Sequence, residues 1–250
     1  MFDAKIGARL LYDARTTKQA LSALPPEALP ESEAEAVLIQ DEMARLRGPV
    51  EAWKVGAATP NSIPNRAPIH ADSLFVNPGR ITASMFRYIG AEAEIAYKFS
   101  KDLTPGTNPL TADDVLNAVA SVHPAIEIID TRFLKLDSQP MLAHRADQGN
   151  HGALIIGDPI LNWRSMHPRQ QRVILEINNA IVSDKIDGNS AGDPESLLLW
   201  LANVGARSLG GIKAGQYVTT GSCSGTIFVN APVQLTAKLA ERGSLTLTID

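Results

Sequence analysis

Glu92 and Glu94 stand one residue apart in Gly90-Ala91-Glu92-Ala93-Glu94-Ile95-Ala96-Tyr97, and Glu127 lies in a second apolar run, Pro124-Ala125-Ile126-Glu127-Ile128-Ile129-Asp130. The first stretch reads as a strand, on which successive side chains alternate, so the two glutamates share one face while Ala93, Ile95 and Tyr97 take the other. Two like charges side by side each raise the cost of ionising the other unless a cation sits between them. A hard divalent ion answers that cost. Mg²⁺ or Mn²⁺ takes oxygen ligands in near-octahedral geometry and keeps positions open for water or substrate. Glu92, Glu94 and Glu127 are therefore the candidate metal ligands. The competing readings are a solvated edge-strand face for the pair and, for Glu127, whose burial without a partner is costly, an ion pair with Arg132.

Other residues have chemistry to offer, each beside a plainer structural role. Lys54, in Ala52-Trp53-Lys54-Val55-Gly56, is a lone cation among apolar neighbours. It is either a surface lysine lying along Trp53 or a point charge for a substrate carboxylate or enolate oxygen. Thr219-Thr220-Gly221-Ser222-Cys223-Ser224-Gly225 offers free backbone N–H groups for an anion-binding nest, or is an ordinary tight hairpin. It is too short for a P-loop, and Cys223 reads as a small buried thiol. In Arg145-Ala146-Asp147-Gln148-Gly149-Asn150-His151-Gly152, Asp147 is placed to relay protons or order water and His151 titrates in the range for acid or base work, unless the segment is only a loop. His70, His123, His144 and His167 have no metal-type spacing and read as structural.

These residues need a scaffold, and 250 residues with 44% apolar content can bury a full core. Helices are expected over 3 to 15 and 32 to 47, the second with Ser32 and Glu35 spaced as a capping box and Ala36, Ile39, Met43 and Leu46 along one stripe. With the proline-stiffened segment from Leu24 to Pro30 between them, they form a helical preface, residues 1 to 48, to a main body of residues 49 to 250. Further helices are expected over 112 to 122 and 194 to 204. The carboxyl-terminal third reads as short strands over 172 to 178, 180 to 185, 216 to 220, 225 to 230, 232 to 240 and 244 to 249. Helices and strands are segregated, which points to an α+β fold.

The formal charge of −4, without a basic run, leaves no footprint for nucleic acid or an anionic membrane. A small diffusible ligand is the better match. One cysteine excludes an internal disulfide framework, and there is neither a signal-type start nor an apolar run of membrane-spanning length, as expected of a cytoplasmic protein.

Taken in order, Trp53-Lys54-Val55-Gly56, Gly90 to Ala96, Pro124 to Arg132, Ala146-Asp147 and Thr220-Gly221-Ser222 resemble the fumarylacetoacetate hydrolase superfamily, in its 2-keto-4-pentenoate hydratase and 4-oxalocrotonate decarboxylase branch. The likeness runs from about residue 35 to the end. It implies a mixed β-sandwich roll with a helical amino-terminal segment, and a Mg²⁺ or Mn²⁺ ion on Glu92, Glu94 and Glu127. It also implies Lys54 beside the substrate, Asp147 as an acid of the pocket, and Gly221 and Ser222 in the loop that receives the substrate carboxylate. The family's Gly-x-Leu near the substrate is matched here only at Leu74. Asn150 stands where a small hydroxyl residue is common.

The resemblance implies an enzyme of aromatic-compound catabolism acting on a small 2-oxo acid. Its first form is a hydratase turning 2-hydroxy-2,4-dienoates into 4-hydroxy-2-oxo acids through an enolate at the metal. A 4-oxalocrotonate-type decarboxylase uses the same electron sink. An acylpyruvate C–C hydrolase ranks third, because no His and Glu pair follows Lys54 closely: His70 is the one histidine there, and no glutamate comes before Glu92. A non-enzymatic partner subunit is the remaining alternative. A homo-oligomer is expected, with a decarboxylase or hydratase as a further partner.

Overall fold

The computed structural model describes residues 1–104 and 106–250. The chain opens with α1 (Ala4–Thr17) and α2 (Glu33–Arg47). There follow β1 (Val50–Gly56), β2 (Asn65–His70), β3 (Leu74–Val76), β4 (Arg80–Ile81), β5 (Ile89–Phe99), α3 (Ala112–Leu116) and β6 (Val119–Ile129). Then come α4 (Met141–Ala146), β7 (His151–Ile156), β8 (Val173–Ile177), β9 (Ala180–Lys185) and α5 (Pro194–Trp200). The chain ends with β10 (Tyr217–Thr219), β11 (Ile227–Val229), β12 (Val233–Leu239) and β13 (Gly243–Ile249). This is an α+β fold, with most of the helix at the amino-terminal end.

Among the described residues two sheets form. The larger has the order β2-β1-β10-β5-β6-β7-β3, with β11 also paired to β5; the smaller runs β4-β13-β12-β8-β9. β2 and β3 lie at opposite ends of the larger sheet, yet only residues 71 to 73 separate them in the chain. Such a connection spans about 10 Å at most, so the sheet must curl until its two edges nearly meet. That makes it a roll, with an inner and an outer face.

Strand alternation sorts the residues of β5 between these faces. Ala91, Ala93, Ile95, Tyr97 and Phe99 face outward and pack with Ile126 and Ile128 of β6 against Leu175, Leu235, Ala237 and Leu247 of the smaller sheet. Burying each large side chain there contributes about 1.5–3 kcal/mol, which holds β5 and β6 firmly in register. The inner face carries a smaller apolar cluster of Ala52, Ile69, Ala96, Ala125, Leu154, Ile156 and Tyr217, against which Leu74 packs.

The helical preface is tied to the roll. Ala8, Leu11, Ala36, Ile39 and Met43 share one apolar cluster with Phe133, Ala143 and Ala146, and Leu24 and Ala28 of the proline-rich segment belong to it. On α2 the predicted stripe includes Ala36, Ile39 and Met43, but Leu46 is 41% exposed. Ser32 accepts from the Glu35 N–H at 3.2 Å, whereas the Glu35 carboxylate takes the Glu31 N–H at 2.7 Å in place of that of Ser32.

The helix expected over 112 to 122 stops at Leu116. Residues from Val119 onward enter β6 and pair with β5. β-Branched Val119 and Val122 suit a strand, and the eleven-residue antiparallel partner outweighs local helical periodicity. α5 ends at Trp200 and continues to Gly205 as a π-helical turn.

Candidate metal centre and substrate site

β5 and β6 pair antiparallel with Glu92 directly opposite Glu127 and Glu94 opposite Ala125. Opposite residues share a face. All three carboxylates therefore enter the inside of the roll, where they are buried, with ligand oxygens within 4.8 Å of one another. The same row continues through Leu154 of β7 to Leu74 of β3. Leu74 thus stands on the inner wall.

Each carboxylate has one oxygen held by the protein. Glu127 Oε1 receives Lys54 Nζ at 2.7 Å and His151 Nδ1 at 2.8 Å. Glu94 Oε2 accepts from the Thr219 hydroxyl, and Glu92 Oε1 from the Thr226 hydroxyl. Glu94 Oε1 is buried and has no hydrogen-bond partner among the described residues. A buried anionic oxygen without a donor is costly, and a cation at the centre of the three acids supplies what is missing. The donor set, three carboxylates and no sulfur, is that of a hard divalent ion.

The electrostatics agree. Burial, then Glu127 and Glu92, push the Glu94 carboxyl well above its usual range. Burial and Glu127 raise Glu92, and burial raises Glu127 against the pull of Lys54. Burial alone would lower Lys54, but Glu127, Glu92 and Glu94 outweigh it and hold the ammonium above its usual value. Lys54 therefore stays cationic beside the acids, its side chain 16% exposed. Its Nζ also donates to the Gly149 carbonyl at 3.1 Å. A cleft of about 340 Å³ bordered by His144, Gly149 and Asn150 lies at that carbonyl.

β10 and β11 both run beside β5, against Ala96 to Lys98 and Ile89 to Ala91 respectively. The segment between them is therefore not the tight hairpin that its sequence allows. It is a loop bowed out beside Glu92, Ala93 and Glu94, anchored by Cys223 N–H to the Ala93 carbonyl and Ala93 N–H to Ser224 Oγ, both at 2.9 Å. Thr219 and Thr226 flank it. Gly221 has φ +86, and a Cβ added there would lie 3.6 Å from the Val55 carbonyl oxygen and 3.7 Å from Gly56 Cα, beside the strand that carries Lys54. Ser222 Oγ accepts from the Gly225 N–H at 2.9 Å.

Asp147 does not join the cluster. Its carboxylate is fully buried and accepts from Thr131 Oγ1 at 3.0 Å, Arg132 N at 2.9 Å and Arg132 Nε at 2.6 Å. The partner of Arg132 is thus Asp147, and Glu127 pairs with Lys54, contrary to the Glu127–Arg132 alternative. Asp147 anchors the next three residues, Gln148, Gly149 and Asn150, all at positive φ (52, 60 and 58). Such a run is strained except at glycine. Gln148 secures it further, accepting from Arg47 Nη1 at 2.6 Å and donating to the Pro68 carbonyl at 2.7 Å.

Thr219, Thr226, Ser73 and His151 are the contacts that sequence reasoning missed or left unresolved. For the two threonines a signal existed, since each lies at one end of the glycine-rich loop. His70 binds the Pro49 carbonyl and His123 the Gly157 carbonyl, in structural positions. No helix among the described residues is long and apolar enough to cross a membrane.

No protein-family model matches the chain. The TodF product hydratase of Pseudomonas putida is 28% identical over 155 residues, covering 62% of this chain and 57% of that one. The 2-hydroxypent-2,4-dienoate hydratase of Pseudomonas putida is 32% identical over 116 residues, 45% and 50% of the two chains. The chain thus spans about half the length of these relatives. Among solved structures, the 4-oxalocrotonate decarboxylase of Pseudomonas putida G7, complexed with magnesium and adipate, superposes with a TM-score of 0.85 at 21% identity, covering 99% of this chain and 97% of that one. The same decarboxylase has also been solved with calcium and acetate. A putative fumarylacetoacetate hydrolase family protein of Yersinia pestis CO92 superposes with a TM-score of 0.59 at 19% identity, covering 81% and 93%. The structural likenesses show a common fold, and the hydratase relatives share sequence over part of the chain. Ordered motifs, rolled sheet and relatives agree: the chain is similar in sequence to these hydratases and shares its fold with the 4-oxalocrotonate decarboxylase and the fumarylacetoacetate hydrolase family protein.

Proposed function

We propose that the chain is a metal-dependent hydratase that converts 2-hydroxy-2,4-dienoates to 4-hydroxy-2-oxo acids in the breakdown of aromatic compounds. The observation that carries this reading is the buried Glu92, Glu94 and Glu127 cluster with Lys54 2.7 Å from Glu127, in a chain related to hydratases. Glu92, Glu94 and Glu127 would hold Mg²⁺ or Mn²⁺, which would supply Lewis acidity at the 2-oxo acid. Lys54, kept cationic by the acids, adds a second positive contact for the substrate carboxylate or the developing oxyanion. The backbone at Gly221 and Ser222 receives the carboxylate, and Leu74 gives the carbon chain an apolar wall. Asp147 acts at one remove, holding the loop whose Gly149 carbonyl orients Lys54.

A second reading is decarboxylation of a 4-oxalocrotonate-like diacid, favoured by the near-complete overlap with the decarboxylase fold. It needs the same electron sink without added water. The proposal also includes a catalytic unit of residues 49 to 250 behind a helical segment of residues 1 to 48, a cytoplasmic location, and a homo-oligomer able to associate with a decarboxylase or hydratase.

The test is to incubate the purified chain with Mg²⁺ and either freshly generated 2-hydroxypenta-2,4-dienoate or 4-oxalocrotonate, and to identify products by NMR. A 4-hydroxy-2-oxo acid from the dienoate supports the hydratase. CO₂ from 4-oxalocrotonate without hydration of the dienoate moves the assignment to the decarboxylase, and turnover of neither overturns the enzymatic reading.

A further inference from the structure

His151 begins β7, and its ring is fully buried between two partners. Nδ1 lies 2.8 Å from Glu127 Oε1, and Nε2 lies 3.1 Å from Ser73 Oγ. A carboxylate oxygen only accepts, so Nδ1 must carry the hydrogen. In the neutral ring Nε2 is then the acceptor, and its donor is the Ser73 hydroxyl. That hydroxyl has a second acceptor, the His70 carbonyl, but at 3.4 Å. Ser73 Oγ in turn receives Arg47 Nη2 at 3.2 Å. The hydrogen bonds thus run in one direction, from Arg47 through Ser73 and His151 to Glu127.

The backbone holds the ring in place as well. Arg15 of α1 donates through Nη2 to the His151 carbonyl. At the next residue, Gly152, an added Cβ would lie 2.7 Å from the Ile128 carbonyl, so β7 is pressed against β6 at this point. The imidazole has little room to turn away from Glu127.

The consequence falls on the orientation of Glu127. With Oε1 held on one side by Lys54 and on the other by His151, the carboxylate cannot rotate freely about its last bond, and Oε2 is left to the cluster. We propose that His151, held as the Nδ1–H tautomer between Glu127 and Ser73, is a positioning residue that presents Glu127 to a divalent cation; this rests on the metal reading given above. A ligand carboxylate fixed by such an outer partner binds more tightly, and removing the partner typically costs about 10–100-fold in metal affinity. His151 touches neither metal nor substrate in this arrangement. With both ring nitrogens engaged and the ring out of contact with solvent, it is not a general acid or base.

The experiment uses the full chain and two readouts. Isothermal titration with Mg²⁺ and with Mn²⁺ is compared for wild type, His151→Leu, His151→Asn and Ser73→Ala. Asparagine keeps an N–H close to the position of Nδ1 and so separates loss of the donor from loss of the ring. The proposal expects His151→Leu to lose affinity by about 10–100-fold, His151→Asn to recover most of it, and Ser73→Ala to fall between. Long-range ¹⁵N–¹H NMR of the wild type is expected to show His151 as the Nδ1–H tautomer. An Nε2–H tautomer overturns the proposal without any variant having to fold. So does a folded His151→Leu with wild-type affinity. A wild type that binds neither ion overturns the metal reading itself, and the proposal with it, whereas wild-type binding unchanged in every variant overturns the role of His151 alone.

Discussion

Lys54 and Glu127 form a 2.7 Å ion pair although β10 and β5 lie between their strands. On a flat sheet three strand spacings come to about 14 Å, well beyond the reach of one lysine and one glutamate meeting head to head along the surface. The curl of the sheet brings them together across the interior of the roll. Replacing Lys54 with Met is therefore expected to leave the three carboxylates in place while removing the positive contact for substrate. Turnover should fall by about 100-fold or more, with Mg²⁺ affinity within about tenfold of wild type; steady-state kinetics and calorimetry check the two halves.

Glu94 should destabilise the metal-free protein at neutral pH. Its carboxyl is pushed, by burial and then by Glu127 and Glu92, well above its usual 4.5. A carboxyl with a raised folded pKa binds more protons folded than unfolded, so stability falls as pH rises from the unfolded value towards the folded one. In chelator, Glu94→Gln should then have a higher Tm than wild type at pH 7.5, by several degrees, and the gap should close towards pH 4. Mg²⁺ should raise the Tm of wild type and not that of the variant. Thermal unfolding across that pH range is the check.

Asp147 is expected to matter for folding before chemistry. It is the close buried partner of Arg132, and its replacement by Asn leaves the buried guanidinium with only the Asp130 carboxylate, 3.9 Å away, as counter-charge. Breaking such a pair costs about 3–5 kcal/mol. Urea unfolding of Asp147→Asn should show a loss of that order, and an unchanged midpoint contradicts the anchoring role.

Cys223 is 3% exposed, and burial, then Glu94 and Glu92, push its thiol up to about 12. The thiolate is the reactive form. The native chain should therefore be silent to Ellman's reagent at pH 8 and release one equivalent only on unfolding; rapid native labelling contradicts this environment.

What the sequence made legible follows from the range of the interactions involved. Strand alternation alone puts Glu92 and Glu94 on one face, and the apolar company of Glu127 marks it as a buried acid in need of a partner. The register that sets Glu127 opposite Glu92 is a long-range fact with no local signal. The same holds for Ser73 and His151, whereas Thr219 and Thr226, more than a hundred residues from the acids they hold, are marked only by their place at the two ends of the glycine-rich loop. The helix forecast over 112 to 122 holds to Leu116 and fails beyond it for the matching reason, since pairing with β5 overrides the local periodicity. Glycines at 221 and 225 announced a turn, but only the joint pairing of β10 and β11 with β5 makes it a loop beside the acids.

The central claim is a divalent cation on Glu92, Glu94 and Glu127. Crystals grown or soaked with Mn²⁺ and measured near the manganese absorption edge test it most directly. The account predicts a single strong anomalous peak inside the roll, about 2.0–2.3 Å from one oxygen of each of the three carboxylates, including Glu94 Oε1. A fully occupied Mn²⁺ elsewhere, or no peak at the three glutamates at millimolar Mn²⁺ and neutral pH, contradicts it.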